Sequence, residues 1–282
     1  MNNFKASYYN FNELLSDKSI TTNPFPLLRD DEGSELIYCV SPLHGRSFVV
    51  SRNNDRWIIS KGNGLSYSSA VFLDTSKVNG DLWGALFKDN AIRDFKIGQE
   101  IRNLGIKTNH MEYVLELEKR IIMPTQHREE KSCLLQYSVE CPYRISDFSF
   151  IPTKIFNNEI KKWDKMNDRN FVQYHLIAAN ILIRNLRILH DNNIMHNAIH
   201  AQNYTWALEL VDFESARTDK LPYENAEYEK YVPLLKEGEI VQTYEVLNYI
   251  AWCLKEKIDY TKIDSLFLEY GFNLSHYKGI IS

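Results

Sequence analysis

A long apolar segment, RNFVQYHLIAANILIRNLRILHDNN at residues 169–193, limits most strongly what this chain can fold into. Its length and apolar spacing predict a helix, and Asp168 just before it has a side chain suited to the N-cap. Because apolar residues occupy most of its faces, the helix needs other elements packed around it. The sequence therefore predicts a buried central helix in the second half of the chain.

Strand-like segments dominate the chain before residue 150. They are ELIYCV, RSFVVSR, DRWIISKG, MEYVLELEKRIIM and SCLLQYSVE. The sequence SRNNDRW predicts a hairpin, because NND between two strand-like runs is turn chemistry. One helix is predicted among the strands, from about Asn90 to Leu104, with Gly105 in the place of a C-cap glycine.

After residue 150 the pattern becomes helical, with further helices predicted in IVQTYEVLNYIAWCLKE and IDSLFLEYG. Strands followed by helices predict an α+β protein with two lobes. We assign residues 1–34, which TTNPFP interrupts, to an irregular arm. Residues 35–150 then form a β-rich N-lobe and residues 151–282 a helical C-lobe.

Composition excludes some functions and partners. A chain of 282 residues with 44% hydrophobic residues can bury a sizeable core, and a net charge of −4 without a basic block argues against nucleic-acid partners. No apolar run is long enough for a membrane span, and no signal peptide is recognisable, so we expect a cytoplasmic protein. A leaderless secreted effector fits equally well. The four cysteines form no C-x-x-C pair, so reduced thiols are expected.

The stretch HNAIHAQNYTWALELVDFES, residues 196–215, contains a polar loop, an apolar run and then an acid. The YTWALELV run can form a small hairpin that brings Asn203 and Asp212 together. Amide and carboxylate oxygens are hard ligands that suit Mg²⁺. The stretch resembles the H-x-D-x-x-x-x-N and D-F-G motifs of protein kinases, with Ala198 in place of the catalytic aspartate. The alternative is that Asn203 is a turn residue and Asp212 an ordinary loop acid.

A second set of residues suits a nucleotide. The sequence RWIISKGNG puts Lys61 at a strand end, followed by Gly62 and Gly64, and glycines let backbone amides approach phosphate oxygens closely. Asp94 and Glu100, on the predicted helix that follows, are the candidates for the carboxylate partner of the lysine. The alternative is a solvated lysine at the end of a strand.

Five segments in order resemble the selenoprotein O (YdiU) family of kinase-like protein adenylyltransferases. They are GRSFVVSRNNDRWIISKGNGLSYSS, DLWGALFKDNAIRDF, LGIKTN, YSVECPYRISDFSF and HNAIHAQN with VDFES, and they fall within residues 45–217. The resemblance implies a bilobal protein-kinase-like fold, with ATP and Mg²⁺ or Mn²⁺ as cofactors. It also implies transfer of AMP to a hydroxyl group of a protein or peptide substrate.

The resemblance also assigns roles to residues. It implies that Lys61 holds nucleotide phosphates, with Asp94 or Glu100 as its partner, and that Asn203 and Asp212 bind the metal. It implies that Arg144 is one of two family arginines that contact the terminal phosphate of the nucleotide, and Tyr137 stands at the position of the other. Gln202 stands where the family has the aspartate proposed as its general base.

The proton acceptor is the open question of this site. Gln202 has an amide, which cannot act as a general base. His200 in the same loop is a candidate replacement, because an ordinary histidine pKa of about 6.5 suits a base near neutral pH; the alternative is a polar loop residue. We expect His196 to brace the loop through hydrogen bonds. Glu214 stands where protein kinases and the selenoprotein O family both have glycine, and it is either a further metal ligand or a capping acid.

Three functions therefore remain open. The first is AMP transfer to a protein or peptide, and the second is transfer of the γ-phosphate by a kinase-fold phosphotransferase. The third is an inactive nucleotide-binding scaffold, which the residues Tyr137, Ala198 and Gln202 favour. The oligomeric state cannot be read from the sequence.

Overall fold

The computed structural model divides the chain into two compact units. The first unit comprises Met1–Gln99 and Asn109–Pro142, and the second comprises Glu100–Thr108 and Tyr143–Ser282. The structure describes residues 11–17, 38–39, 47–53, 55–62, 86–123, 128–149, 151–166, 173–223 and 226–277. Its strands lie in the first unit and most of its helices in the second, as the predicted α+β class requires.

The described strands and helices have the following bounds. The strands are β1 (Phe11–Ser16), β2 (Tyr38–Cys39), β3 (Ser47–Asn53), β4 (Arg56–Lys61), β5 (His110–Met123) and β6 (Arg128–Val139). The helices are α1 (Lys88–Asn103), α2 (Thr153–Met166), α3 (Tyr174–Asp191), α4 (Ala226–Glu229), α5 (Val232–Leu254) and α6 (Tyr260–Glu269).

One antiparallel sheet, in the order β1-β5-β6-β4-β3-β2, organises the first unit. The predicted hairpin is confirmed, because β3 and β4 pair down to Asn53 opposite Arg56. Strand β4 lies inside the sheet, between β3 and β6. Its burial increases toward its end, and Lys61, its last residue, is 3% exposed.

Strand β1 corrects the prediction of an irregular arm. Phe11–Ser16 pairs antiparallel with β5, from Phe11 opposite Leu117 to Ser16 opposite Tyr113. The sequence FNELLS has no clear alternation of apolar and polar residues. Its strand conformation comes from the backbone groups of the β5 edge, a long-range interaction that local patterning does not report. The other residues of the 1–34 arm, apart from Asp17, lie outside the described residues.

Helix α1 ends as its sequence predicts. Gly105 follows the helix with a φ of 78°, a left-handed conformation that glycine adopts without steric cost. Its amide donates to the carbonyl of Arg102 at 3.0 Å, and the Ile106 amide donates to the carbonyl of Ile101 at 3.4 Å. These two bonds form the Schellman arrangement, so the predicted C-cap at Gly105 is confirmed.

Helix α3 is central among the helices of the second unit, but it is not buried on every side. It packs against α2, α5 and α6 through apolar side chains such as Leu182, Ile183 and Leu186. A polar stripe of Asn180, Arg184, Arg187 and Asp191 faces solvent. The predicted buried central helix is therefore confirmed on most of its faces, and the polar residues that recur at helical spacing form its one exposed face.

The start of α3 also differs from the prediction. The predicted N-cap, Asp168, lies outside the described residues, and the helix begins at Tyr174. The Glu256 carboxylate accepts hydrogen bonds from the amides of Tyr174 at 2.9 Å and His175 at 3.0 Å. A residue distant in sequence therefore satisfies the first amides of this helix, which a local capping rule cannot foresee.

Three other helices exceed the predictions. Helices α2 and α4 were not predicted, and α5 begins at Val232, ahead of the expected IVQTYEV segment. Pro233 lies in the first turn of α5, where its missing amide costs no intrahelical hydrogen bond. Among the residues that the structure describes, no helix is both long enough and apolar enough to cross a lipid bilayer.

Candidate functional site

A buried ion pair joins Lys61 to Asp94 in the first unit. The distance from Lys61 Nζ to Asp94 Oδ2 is 2.7 Å, and the two side chains are 4% and 1% exposed. Lys61 is the last residue of β4, and Asp94 lies on the buried face of α1 beside Ala91 and Phe95. The strand end and the helix face thus present opposite charges to each other in the interior.

Stability alone does not account for this pair. Removing two charges from water costs several kcal/mol per ion, and replacing such a pair by apolar residues of similar volume is often neutral or stabilising. Protein kinases also pair a strand lysine with a helix carboxylate, and there the lysine holds nucleotide phosphates. Asp94 is one methylene shorter than the glutamate of that pair, yet the structure shows that it reaches Lys61.

Glu100, the alternative partner, has a contact of its own. Its carboxylate accepts a hydrogen bond from Lys220 Nζ at 2.9 Å, and the Lys220 side chain is 79% exposed. Glu100 and Lys220 both belong to the second unit. The structure therefore pairs Asp94, and not Glu100, with Lys61.

Gly62 has a packing requirement of its own. It is buried and has a φ of 97°, and a Cβ atom there would collide with the carbonyl oxygen of Cys133 and lie 2.8 Å from Leu86 Cβ. The backbone of Gly62 thus lies against β6 too closely for any side chain. Gly64, the second predicted phosphate-loop glycine, lies outside the described residues.

His196 anchors the polar loop of the second unit. Its Nε2 donates to the carbonyl of Val211 at 3.0 Å, and its ring lies edge-on to Phe213 with 5.3 Å between ring centres. Burial lowers the pKa of His196, which keeps the ring neutral at pH 7. This is the bracing contact expected of His196, and it ties the loop to the strand-like residues before Asp212.

Helix α5 holds the same loop from its other side. The buried Glu239 carboxylate accepts from the Asn197 amide at 2.6 Å, and the Gln242 side-chain oxygen accepts from the Ile199 amide at 3.1 Å. Asn197 has a φ of 64°, a left-handed conformation that asparagine tolerates better than most residues. Sequence analysis missed Glu239 and Gln242, because nothing local to either residue indicates a distant loop amide.

The predicted hairpin after the loop is confirmed. The Val211 amide donates to the carbonyl of Asn203 at 3.0 Å, and Tyr204 pairs with Leu210 in an antiparallel bridge. Because Asp212 directly follows Val211, the hairpin brings Asn203 and Asp212 side by side along the two arms. The sequence HNAIHAQN with VDF thus folds into one compact loop and hairpin.

The Asn203 side chain has an oxygen atom suited to a cation. Its Nδ2 donates to the carbonyl of Ala198 at 3.0 Å, which directs Oδ1 away from that carbonyl. Oδ1 is buried and has no hydrogen-bond partner among the residues that the structure describes. Buried polar oxygens are rarely left unsatisfied, so this atom fits a ligand of a hard cation such as Mg²⁺.

Asp212 adopts an uncommon backbone conformation. Its φ is 72°, in the left-handed region that non-glycine residues seldom occupy. Such conformations cost of order 1–3 kcal/mol and occur preferentially at functional sites. The side chain is half-buried, which leaves its carboxylate partly accessible to a ligand.

Arg144 contacts the loop at Gln202. Its Nη1 donates to the Gln202 backbone carbonyl at 3.1 Å, and the Arg144 amide donates to Asp147 Oδ2 at 2.9 Å. Tyr137, at the position of the second family arginine, is buried in β6 of the first unit. Within the second unit the structure therefore brings Arg144 together with the loop that carries Asn203.

His200 lies near charges of both signs. Desolvation lowers the pKa of His200, the negative charge of Asp212 opposes this shift, and the positive charge of Arg144 adds to it. The neutral ring is therefore favoured at pH 7, as a proton acceptor requires. Gln202, two residues later, contributes its backbone carbonyl to the contact with Arg144.

Comparison with known proteins finds similarity in structure only. No protein-family model matches the chain, and no curated protein sequence matches it. One similar solved structure is a mutant of the PAN3 pseudokinase of Neurospora crassa, at 11% identity and a TM-score of 0.36, covering 80% of this chain and 47% of that one. Another is the kinase domain of a Toxoplasma gondii-specific rhoptry antigen, at 11% identity and a TM-score of 0.35, covering 78% of this chain and 73% of that one.

This chain spans about half the length of the PAN3 chain, and neither neighbour assigns a reaction or a residue role to it. The fold class follows from the elements themselves. The first unit has a lysine strand followed by a helix with the partner carboxylate, and the second has the asparagine loop followed by the aspartate. These residues follow the order of the corresponding kinase motifs. The strands of the first unit and the helices of the second confirm the predicted protein-kinase-like α+β fold.

Proposed function

We propose that this protein is an ATP-dependent transferase that uses a divalent cation, Mg²⁺ or Mn²⁺. The observation that carries the proposal is the Lys61–Asp94 ion pair, which is buried and 2.7 Å long. In this role Lys61 neutralises phosphate charge, and Asp94 holds the ammonium in place. A pair that is costly to bury is well explained by a charged ligand.

Asn203 and Asp212 are the residues proposed to hold the metal. The orphaned Oδ1 of Asn203 and the partly accessible carboxylate of Asp212 are the oxygen ligands that Mg²⁺ prefers. When bound, the metal would neutralise charge on the phosphates. The chain's own contribution is to fix these two side chains through the hairpin, His196 and helix α5.

The group proposed to be transferred is AMP, and the acceptor a hydroxyl group of a protein or peptide. This assignment rests on the resemblance to the selenoprotein O family, in which an arginine at the position of Arg144 contacts the terminal phosphate. The contact of Arg144 with the loop before Asn203 is compatible with that role. The acceptor itself is identified only by its chemistry.

The acceptor hydroxyl must lose a proton during transfer, and Gln202 stands where the family has its general base. Phosphoryl and nucleotidyl transfer depend mainly on positioning and charge neutralisation, so loss of a base costs about 10²–10⁴-fold in rate rather than all activity. We propose His200 as the proton acceptor, since its lowered pKa keeps it neutral near pH 7.

Transfer of the γ-phosphate is the second candidate function. Protein kinases have the same types of residue: a lysine–carboxylate pair and an asparagine and an aspartate for the metal. These residues are compatible with transfer of either the AMP group or the γ-phosphate. A third candidate, a nucleotide-binding scaffold without turnover, is favoured by Ala198 and Gln202, because neither side chain can accept a proton.

Labelled nucleotide separates these functions. The purified chain is incubated with Mg²⁺ or Mn²⁺ and a generic protein acceptor, with ATP labelled at either the α- or the γ-phosphate. We expect label on protein from α-labelled ATP only. Label from γ-labelled ATP only would replace AMP transfer by phosphotransfer, and nucleotide binding without transfer from either would support the scaffold.

Three variants refine the result. Asp212→Asn should abolish transfer from either label, because it removes a metal carboxylate. Gln202→Asp should raise the rate if the missing base limits it. An unchanged rate in Gln202→Asp together with a loss in His200→Gln would assign proton acceptance to His200.

A further inference from the structure

Glu214 lies beside Asp212 on the segment that follows the hairpin. Carboxylate oxygens of the two residues lie within 4.8 Å of each other, and both residues are half-buried. Protein kinases have glycine at this position of D-F-G, so the second acid is a property of this chain. A divalent cation offsets the repulsion between two neighbouring carboxylates, and carboxylate oxygens are the ligands that Mg²⁺ and Mn²⁺ take.

Two carboxylates alone do not make a metal site, but Asn203 adds an independent observation. Its residue is 4% exposed, and its Oδ1 has no hydrogen-bond partner among the described residues. The amide of Val211, the residue before Asp212, donates to the Asn203 carbonyl. An unsatisfied buried oxygen and two carboxylates therefore occur on adjoining backbone segments of one unit.

The backbone around these residues is held in place. Phe213, between the two acids, is fully buried against His196, and its carbonyl accepts from the Ala216 amide at 3.1 Å. The Ser215 hydroxyl donates to the His196 carbonyl at 3.4 Å. These contacts fix the course of the segment that carries Asp212 and Glu214, so a cation does not have to order it.

We propose that Asn203, Asp212 and Glu214 form a divalent-cation site that fills before any nucleotide binds. This deepens the proposed function, on which it rests. Mg²⁺ and Mn²⁺ accept six oxygen ligands, and three from the protein leave positions for water and phosphate. One carboxylate neutralises only half of the 2+ charge, so the cation would need a phosphate group to neutralise the rest. Two carboxylates neutralise the whole charge without nucleotide.

Titration of Mn²⁺ into the nucleotide-free chain of 282 residues tests this inference. Bound Mn²⁺ is measured by the loss of the free-ion electron paramagnetic resonance signal and, independently, by calorimetry. We expect one Mn²⁺ per chain without nucleotide. Glu214→Gln and Glu214→Gly should each weaken this binding at least about tenfold, since even outer-shell changes cost about 10–100-fold in metal affinity.

Glu245→Gln is the matched control, because Glu245 is an exposed acid on α5, and it should bind Mn²⁺ as the natural chain does. Asp212→Asn should lose binding. Circular dichroism of each variant separates lost ligands from lost folding. Glu214→Gln with unchanged affinity would overturn the inference.

The outcome also separates this inference from the proposed function. If the natural chain binds Mn²⁺ only after ATP is added, the inference fails and the ATP-dependent function stands. If it binds no Mn²⁺ with or without ATP, both fail. Binding without ATP that is lost in Glu214→Gln supports both the site and the role of its second carboxylate.

Discussion

The Lys61 ammonium and the Asp94 carboxylate, both residues of the β-rich unit, meet at 2.7 Å, and their side chains are 4% and 1% exposed. The strand end and the helix face that bring them together are elements of the protein-kinase-like fold. The cost of burying two charges makes this pair the most informative relationship in the chain, because removing one partner has consequences different from removing both.

Replacing one member of the pair should destabilise the first unit strongly. Asp94→Leu leaves a buried ammonium, and Lys61→Met leaves a buried carboxylate, so each should lower the free energy of unfolding by about 3–5 kcal/mol. The double variant should recover most of this loss. Urea denaturation measures all three, and a double variant no more stable than the single ones would contradict the assignment.

Glu100→Gln is the control for this experiment. Its partner Lys220 is 79% exposed, and exposed ion pairs contribute about 0–1 kcal/mol. The variant should therefore unfold within about 1 kcal/mol of the natural chain. Asp94→Leu and Glu100→Gln each remove the charge of an acid on helix α1, so the pair of variants compares a buried acid with a more exposed one.

Gly62→Ala should lower stability by at least about 2 kcal/mol, because the left-handed conformation and the contact with Cys133 exclude a Cβ atom. Gly238→Ala is the matched change, since a Cβ atom there meets nothing within 4 Å and the residue lies in helix α5. That variant should gain about 0.5–1 kcal/mol. Equal effects in denaturation would show that Gly62 has no special packing role.

The buried His196 should make stability depend on pH. Its folded pKa lies below the ordinary value of about 6.5, so the unfolded chain binds a proton that the folded chain does not. Above pH 7 neither state binds this proton, so the free energy of unfolding is unaffected. As pH drops below about 6.5 the unfolded chain takes up the proton, and the free energy of unfolding falls by up to about 1.4 kcal/mol per pH unit.

His196→Gln tests that dependence, because glutamine retains an amide donor for the Val211 carbonyl and does not titrate. The variant should show a shallower loss of unfolding free energy between pH 6.5 and 5. Identical pH profiles in the two proteins would show that His196 is protonated equally in the folded and unfolded chains.

Gln242→Ala should loosen the loop before Asn203. The Gln242 side chain accepts from the Ile199 amide at 3.1 Å, and loss of one such bond should speed hydrogen exchange of that amide by about 2- to 10-fold. Glu245→Ala, on an exposed face of the same helix, is the control. Equal exchange at Ile199 in both variants would argue against bracing by α5.

The elements that could be predicted from sequence are those with local signals. The β3–β4 hairpin has turn residues between strand-like runs, helix α1 has a glycine cap at Gly105, and the Asn203–Asp212 hairpin has an apolar run between polar ends. In each case residues close in sequence determine the conformation.

The features that were missed depend on residues distant in sequence. Strand β1 forms on the edge of β5, Glu256 caps α3, and Glu239 and Gln242 hold the loop. The choice between Asp94 and Glu100 as partner of Lys61 also required the structure, because both lie on the same helix. Tertiary contacts decide such features, and no local pattern contains them.

Calorimetric titration with ATP, in Mg²⁺ and again in excess EDTA, tests the central claim most directly. The account predicts saturable ATP binding that requires the divalent cation, is lost in Asp212→Asn, and is weakened in the double variant that removes both Lys61 and Asp94. ATP binding that is absent, or that is the same in EDTA and in Asp212→Asn, would contradict it.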